Sequence, residues 1–379
     1  MGGDSESSKY VIGIDIGATK SHLAIYKVGP SAGDGSVNGS VDDSVNGHVN
    51  GASVSCSHNN GASVDGSYNN GACVGGLVGL NSWGPLNHEV LPGSFTQFEA
   101  EFTQFVTQAL SIAGIAMRQV AFAVLGVAGV DTRRQHQIIS EIIKRVGIKC
   151  FVLCNDSYLG VPAGAPSGVG ICANNGTGYT VTGIDVSGGM LQIGGVGMIS
   201  DDRGGGGYIG ERAIAAVYNS LFRFAEPTLM KDYIFDRLGV ADKNDFVEIL
   251  SQKIADDEAD IGYFNRFVFL AAGRGDRVAE SILSDIADSY ANSITYILRE
   301  LDYPADRAVT VVFAGSVFVK GESPFLLDAI KKKVALDNAG RLFEFTVLKR
   351  PPVAGAIVWA LNKMGCGENE IEKAYSRFS

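Results

Sequence analysis

The first ordered stretch of the chain has the hydrophobic pattern of two β-strands joined by a glycine turn. Residues 9–28 contain an apolar run at 10–14, a turn with glycine at 15–19, and a second apolar run at 22–28. Short runs rich in β-branched and aromatic residues, separated by a glycine turn, are typical of paired strands. The pattern therefore predicts a β-hairpin with an unusual turn.

Helical spacing begins at residues 95–113, where Phe98, Phe102 and Phe105 recur at intervals of four and three. Such spacing places the three rings on one face of a helix, where they can pack against a core. The same criteria predict the remaining elements of this half: strands at 120–125 and 150–154 and a helix at 132–146.

The second half repeats the theme of a glycine-turn hairpin followed by strands and helices. The predicted elements are strands at 168–172, 179–184, 190–193 and 308–314, and helices at 207–224, 276–301, 324–339, 353–361 and 368–378. The repetition predicts two related α/β domains that face one cleft. We expect an N-terminal domain at 9–165, a C-terminal domain at 166–364, and a C-terminal helix at 365–379 that packs back on the N-terminal domain.

The pattern is interrupted at residues 31–76, where Gly, Ser, Asn and Val dominate and the motif Asn-Gly-Ala-Ser/Cys-Val recurs with a period of ten. The segment has too few large side chains to offset the entropy of ordering it. We expect a mobile surface insertion; short β-hairpins or a stacked β-repeat are the alternative.

Composition narrows the class of protein. The 379 residues exceed the usual limit of one core, and 46% apolar against 19% charged residues indicate globular domains. A net charge of −10 argues against nucleic acid and anionic membranes as partners. The longest apolar run, 120–130, is shorter than the roughly 20 residues that span a bilayer. It is expected to be a buried strand and turn.

The ends of the chain and its cysteines add two expectations. The N-terminus lacks the apolar core of a signal peptide, so a cytoplasmic location is expected. The six cysteines form no CxxC pair, which indicates neither a disulfide framework nor a zinc site.

The turn after the first strand, Asp15-Ile-Gly17-Ala18-Thr19-Lys20, is a candidate anion-binding loop. Glycine allows a tight turn whose backbone N–H groups point outward, and Asp15 is placed to bind Mg²⁺. A purely structural hairpin turn is the alternative.

The second glycine turn, Asn174-Asn-Gly176-Thr177-Gly178, offers a similar set of donors, and an ordinary Asn-Gly hairpin is again the alternative.

Asp156 follows the apolar run 150–154, at the end of a buried strand where α/β folds place their ligands. Phosphoryl transfer needs one carboxylate to accept the proton of the attacking hydroxyl. We therefore predict that Asp156 is a catalytic base. An Asn-Asp helix cap is the alternative and is compatible with catalysis.

In this order the motifs resemble those of the BadF/BadG/BcrA/BcrD ATPase and N-acetylglucosamine kinase family of the actin/hexokinase/Hsp70 superfamily. The matching segments are 13–21 and 176–178 for the phosphate motifs, 123–129 and 352–356 for the connecting motifs, Asp156 for the catalytic aspartate, and 311–317 for the adenosine motif. The resemblance implies two ribonuclease H-like (actin-like ATPase) domains around a central cleft, with ATP and Mg²⁺ as cofactors.

The resemblance also implies the binding residues. The nucleotide would contact Gly17, Ala18, Thr19, Lys20, Gly176, Thr177, Gly178, Gly315 and Ser316, and a small sugar would contact Asn87, His88, Asp156, Gly195, Val196 and Asp202. Val196 stands where the family has tryptophan, and Arg203 reverses the charge of the family's glutamate. Arg203 could pair with a carboxylate such as the lactyl group of N-acetylmuramic acid, but a surface ion pair is the favoured interpretation.

The resemblance implies an ATP-dependent kinase that phosphorylates a hydroxyl of an amino sugar, N-acetylglucosamine or a relative, and acts as a homodimer. Two alternatives share the fold. One is the ATPase activator of a radical dehydratase, which holds an iron–sulfur cluster through cysteines; the other is a non-catalytic sensor of a sugar or nucleotide. Cys150 and Cys154 lie within a predicted strand rather than on an exposed loop, which argues against the first, and the presence of Asp156 argues against the second.

Overall fold

A computed structural model describes residues 8–29, 53–56, 75–321 and 323–378. Contacts between Cα atoms divide these residues into two units. The first comprises the described residues of Met1–Gly170, Gly183–Gln192 and Lys349–Ser379; the second comprises Ile171–Thr182 and Ile193–Leu348. In the part of the chain that the structure covers, no helix is both long and apolar enough to cross a membrane.

The first unit is built on a six-stranded sheet. Its elements in chain order are β1 (Tyr10–Ile16), β2 (Ser21–Lys27), β3 (Ser53–Cys56), β4 (Gly76–Trp83), α1 (Ser94–Ala113), β5 (Val120–Val127), α2 (Arg133–Val146), β6 (Cys150–Cys154) and α3 (Gly160–Gly164). The strand order is β3-β6-β5-β1-β2-β4. The sheet is mixed, because β1, β5 and β6 run parallel while β1-β2, β2-β4 and β3-β6 pair antiparallel.

The second unit is built on a five-stranded sheet and a set of helices. The elements of this sheet and its helices are β7 (Gly170–Asn175), β8 (Tyr179–Ile184), β9 (Met190–Gly194), α4 (Gly206–Phe222), α5 (Met230–Leu238), α6 (Phe246–Ala255), α7 (Asn265–Ala272), α8 (Arg277–Glu300), β10 (Val309–Ala314), α9 (Ser316–Lys320), α10 (Phe325–Asp337) and β11 (Phe343–Val347). Residues Gly183–Gln192, which include the first three residues of β9, cluster with the first unit. The strand order is β11-β10-β7-β8-β9, and β10 runs parallel to β7 and β11.

The two sheets share one topology. With the edge strand β3 set aside, the first sheet reads β6-β5-β1-β2-β4 and the second reads β11-β10-β7-β8-β9, so equivalent strands follow the same chain order. This is the repeated theme that the glycine turns predicted. The expected α/β class with two ribonuclease H-like, actin-like domains is confirmed.

The chain returns to the first unit with α11 (Pro352–Lys363) and α12 (Glu368–Ser376). Gly13 of β1 faces α11, because a Cβ at this position would lie 2.8 Å from the Cβ of Ala356. Ile12 and Ile14 point to the other face of the sheet, where they pack with the apolar stripe of α1. The sequence analysis assigned α11 to the C-terminal domain, whereas its packing on β1 and β5 places it in the first unit.

Two strands were not predicted. The edge strand β4 overlaps the boundary of the glycine-rich insertion, and β11 has a half-exposed pattern without clear alternation. Within the insertion, Ser53–Cys56 forms the strand β3 paired with β6, which corrects the expected loop for these four residues. Residues 30–52 and 57–74 lie outside the described residues, so the expectation for the rest of the insertion stays untested.

Candidate active site

The turn after β1 is tight and needs glycine. The N–H of Gly17 donates to the carbonyl of Lys20 at 3.1 Å, and a Cβ on Gly17 would lie 2.8 Å from that same oxygen. Ala18 is half-buried, whereas Thr19 and Lys20 are exposed. The turn therefore leaves its backbone and one lysine open to an anionic ligand.

Asp15 lies opposite His22 in the β1-β2 hairpin, at the carboxyl end of β1. Its side chain is 13% exposed, and its Oδ2 lies 3.8 Å from Nδ1 of His22. Burial raises the pKa of Asp15 above its ordinary value, and the neighbouring imidazole partly opposes this rise. The ionised form of Asp15 is thus short of stabilising partners, and a bound cation would supply one.

A single carboxylate of this kind fits Mg²⁺. Proteins usually hold Mg²⁺ with one or two carboxylates together with phosphate oxygens and waters. The described residues contain no group of three or more His, Cys, Asp or Glu that could hold a metal by itself. Asp15 is therefore the residue that would hold a magnesium ion bound to nucleotide phosphates.

Asp156 follows β6 at the start of the 3₁₀ turn Asp156–Leu159. The cap of this turn is Asn155, whose Oδ1 accepts hydrogen bonds from the backbone N–H of Ser157 at 3.0 Å and from its hydroxyl at 2.6 Å. Burial, followed by the charges of Asp15 and Asp131, raises the pKa of Asp156 from 3.8 to about 8. A pKa near neutrality is the property that a general base requires.

Asp131 is a third carboxylate at this edge, which the sequence analysis missed. It follows β5, is 8% exposed, and accepts hydrogen bonds at Oδ1 from Asn155 Nδ2 at 2.9 Å and from Gln192 Nε2 at 2.8 Å. The signal that pointed to Asp156, an acidic residue just beyond an apolar run, is also present here. The buried Asp131 could have been found by the same rule.

Asp15, Asp131 and Asp156 form what we call the carboxylate cluster. Asp15 lies in the last two residues of β1, whereas Asp131 and Asp156 follow β5 and β6. These three strands are adjacent and parallel, so their carboxyl ends meet at one edge of the sheet. Like charges at a half-buried edge raise one another's proton affinity, as the pKa of Asp156 shows. The structure thus brings together the predicted base and the predicted metal ligand.

Asn87 and His88 lie in the segment between β4 and α1, and both are buried. Asn87 Oδ1 accepts from the N–H of Glu89 at 2.8 Å, and the His88 ring stacks on Phe95 with centroids 4.3 Å apart. Burial lowers the pKa of His88, which favours a neutral imidazole. A Cβ on Gly129, just before Asp131, would lie 2.9 Å from Asn87 Oδ1, so this segment packs beside the carboxylate cluster.

In the second unit, three glycine-containing loops contact one another through their backbones. A Cβ on Gly205 (φ 86°) would lie 2.4 Å from the carbonyl oxygen of Thr177, and one on Gly315 (φ 91°) would lie 2.4 Å from the carbonyl of Asn175. Only glycine allows this approach and this backbone conformation. The structure thus brings Gly176, Thr177 and Gly178 next to Gly315 and Ser316.

The same region contains the start of helix α4. The N–H of Gly205 donates to Asn175 Oδ1 at 2.7 Å, and the N–H of Gly206 donates to the carbonyl of Gly176 at 2.9 Å. Helix α4 has no side-chain cap and no acidic residue in its first turn. A helix N-terminus flanked by glycine backbone is a favourable environment for phosphate groups.

The loop between β9 and α4 contains the other predicted sugar ligands. The carboxylate of Asp202 accepts from Gly195 N at 3.0 Å, Gly197 N at 2.7 Å and the Ser200 hydroxyl at 2.6 Å. Asp202 therefore holds this loop together, and a role as sugar ligand stays a prediction. Val196, in the same loop, is 43% exposed.

Arg203 forms an exposed ion pair with Asp201, with 2.8 Å between Nη2 and Oδ2. This geometry matches the surface ion pair that the sequence analysis favoured over a contact with the substrate.

Duplicated ribonuclease H-like sheets, glycine turns after the first hairpin of each, and carboxylates at the edge of parallel strands define an actin-like ATPase. The chain belongs to the BadF/BadG/BcrA/BcrD ATPase family, whose profile matches residues 12–360. The family that the motifs predicted is confirmed.

Individual relatives agree with this assignment. An N-acetylmuramic acid/N-acetylglucosamine kinase of Clostridium acetobutylicum is 25% identical over 235 residues, which cover 62% of this chain and 76% of the relative. Among solved structures, a protein of Chromobacterium violaceum provisionally designated an N-acetylglucosamine kinase matches with TM-score 0.55 and 17% identity, covering 92% of this chain and 98% of its own. A protein of Porphyromonas gingivalis with the same provisional designation gives TM-score 0.54 and 13% identity, covering 94% and 99%.

Proposed function

We propose that this protein is an ATP-dependent sugar kinase that transfers the γ-phosphoryl group to a hydroxyl of an amino sugar, N-acetylglucosamine or a close relative. The observation that carries the proposal is the placement of Asp156, a half-buried carboxylate with a pKa raised to about 8, beside Asp15. The membership of an ATPase family and the similarity to an amino sugar kinase support it.

In this proposal Asp156 accepts the proton of the attacking hydroxyl. Phosphoryl transfer depends mainly on positioning and charge neutralisation, and one carboxylate that removes a proton typically contributes 10²- to 10⁴-fold in rate. Mg²⁺ would be held through Asp15 and would offset the charge of the phosphates. Ionised Asp156 would take up the hydroxyl proton, and its neighbour Asn155 would hold the turn in place.

The glycine loops of the second unit are assigned to the nucleotide. The turn at Gly176, Thr177 and Gly178 would lie against the phosphates; the N–H of Gly176 is used within this turn, where it donates to the carbonyl of Gly178 at 3.2 Å. Gly315 with Ser316 provides a surface without side-chain bulk for the adenosine moiety. Phosphate on glycine backbone at a helix N-terminus is a common arrangement in nucleotide-binding proteins.

The sugar is assigned to the segment that contains Asn87 and His88, since it packs beside the carboxylate cluster through Gly129. A neutral His88 and the amide of Asn87 are suited to sugar hydroxyl groups, which both donate and accept hydrogen bonds.

The test is a screen for ADP release with ATP, Mg²⁺ and a panel of sugars, run on the parent protein and on Asp156→Asn. The panel contains glucosamine, N-acetylglucosamine, N-acetylmannosamine, N-acetylmuramic acid and glucose. We expect the parent to phosphorylate an N-acetylated amino sugar best and the variant to lose about 10²- to 10⁴-fold in kcat.

The control is Asp201→Asn, which removes the charge of an exposed aspartate and keeps the size of its side chain. This variant is expected to keep parental turnover. Turnover of Asp156→Asn within a few-fold of the parent would show that Asp156 is not the base. Absence of sugar-dependent ADP release from the folded parent would refute the kinase assignment.

A further inference from the structure

Asp131 is a buried carboxylate to which the proposed reaction assigns no role. Both of the amide donors described above, Asn155 Nδ2 and Gln192 Nε2, converge on its Oδ1 at 2.9 and 2.8 Å. Its backbone N–H also donates to Gln135 Oε1 at 3.2 Å, so the residue is fixed at the start of helix α2. A buried carboxylate is costly unless it makes such hydrogen bonds, which indicates a specific purpose for it.

The amide of Asn155 is held at both ends. Its nitrogen donates to Asp131, while its oxygen accepts from the N–H and the hydroxyl of Ser157. A rotation of the amide by 180° would direct its oxygen at the carboxylate of Asp131 and its nitrogen at a backbone N–H, and both contacts would be repulsive. Asp131 therefore selects one orientation of Asn155, and this orientation caps the turn that begins with Asp156.

We propose that Asp131 is a positioning residue for Asp156, acting through the side chain of Asn155. This inference rests on the proposed function, because it concerns the residue assigned as the base. A carboxylate that must meet a hydroxyl within hydrogen-bond distance has to be held to a fraction of an ångström, and a misplacement of about 1 Å can cost 10²-fold in rate. Asp156 follows the cap directly, so a movement of the Asn155 side chain would also displace the carboxylate of Asp156.

The charge of Asp131 also affects the pKa of Asp156 directly. The charged groups that act on Asp156 from neighbouring elements are Asp15 at the end of β1 and Asp131 after β5. Burial, and after it the charge of Asp156, raises the pKa of the Cys154 thiol at the end of β6, and the buried face of α11 is apolar. The charges of Asp15 and Asp131 both raise the pKa of Asp156.

The first experiment compares Asp131→Asn and Asp131→Ala with the parent, using ATP and the best sugar of the screen. Asp131→Asn keeps the size and one acceptor oxygen; we expect kcat to fall about 3- to 10-fold while KM for both substrates stays within about 2-fold. Asp131→Ala removes the acceptor, and kcat should fall about 10- to 100-fold with KM for both substrates within about 3-fold.

The second experiment tests whether Asp131 acts through Asn155. In a double-mutant cycle of Asp131→Ala and Asn155→Ala, the loss in kcat of the double variant should be close to the larger single loss rather than to the product of both. Multiplicative losses would overturn the inference, as would an unchanged kcat in Asp131→Asn. Glu141→Gln on helix α2, an exposed carboxylate paired with Lys144, is the matched control and should keep the parental kcat.

The two proposals fail in different ways. If Asp156→Asn abolishes turnover while the Asp131 variants keep parental kcat, the kinase assignment stands and the positioning role is refuted. If Asp156→Asn retains turnover, the base has been misassigned, whatever the Asp131 variants do. Asp131→Asn keeps the test valid if the alanine variant fails to fold, which circular dichroism would reveal.

Discussion

Replacement of Asp156 by asparagine is expected to change the pH dependence of stability in a predictable direction. Burial and the charges of Asp15 and Asp131 raise the pKa of Asp156 from 3.8 to about 8 in the folded protein. Between these two values the folded state holds a proton that the unfolded state releases. The contribution of Asp156 to stability is therefore greatest at low pH and falls as the pH rises towards 8.

The magnitude follows from the proton difference. One proton bound only by the folded state costs about 1.4 kcal/mol of stability for each unit that the pH rises. From pH 5 to pH 8 this amounts to about 4 kcal/mol for a fully desolvated group, and because Asp156 is half-buried we expect about 2–4 kcal/mol. Asparagine does not ionise, so the Asp156→Asn variant should lack this loss.

The assay is urea unfolding of the parent and of Asp156→Asn at pH 5 and pH 9, without nucleotide or Mg²⁺. We expect the stability of the variant relative to the parent to increase by about 2–4 kcal/mol between the two pH values. Asp201→Asn removes an exposed carboxylate and should give the same small difference at both. A relative stability of Asp156→Asn that does not change with pH would refute the raised pKa, and with it the electrostatic description of the carboxylate cluster.

Three further outcomes are expected. Gly315→Ala should weaken ATP binding and lower stability by more than Gly340→Ala in urea unfolding, since both have φ near 90° but only the first would clash with backbone. Asp15→Asn should raise the Mg²⁺ concentration needed for half-maximal ADP release, and an unchanged Mg²⁺ titration would exclude it as a ligand. Arg203→Ala should leave kcat/KM for N-acetylmuramic acid within about 2-fold, because its guanidinium forms only an exposed ion pair.

Regular patterns in the chain predicted most of the fold. The helix at 132–146 was expected from its spacing and is observed as Arg133–Val146, with Thr132 as its cap. The long helix expected at 276–301 is Arg277–Glu300, capped by Asp276. These segments were predictable because one apolar face must be buried, whatever the partner, and local cap residues end the helix.

The missed strands show where local pattern is insufficient. β4 pairs with β2 at the edge of the first sheet, where its residues are half-buried or exposed and none is fully buried. β11 pairs with β10 in the same way at the edge of the second sheet. An edge strand is stabilised by its ladder to a distant strand more than by its own burial, so its sequence contains little signal.

The candidate site also combines features that are local in the sequence with contacts between distant residues. The identities of Asp15, Asp156 and the glycine turns were readable, because a carboxylate after a buried strand and glycine in a tight turn are local features. The convergence of Asn155 and Gln192 on Asp131 was not, since Gln192 is 61 residues away from Asp131 along the chain.

Local sequence patterns were thus enough to predict the two α/β repeats, the family, and the residues proposed to bind nucleotide and to take up a proton. Only packing between distant segments placed α11 in the first unit, made Asp202 hold its own loop, and raised the pKa of Asp156 to about 8 through burial beside Asp15 and Asp131. The physical reason is that hydrophobic period and turn chemistry are properties of neighbouring residues. Desolvation and charge interactions depend on distances that exist only after distant segments have packed.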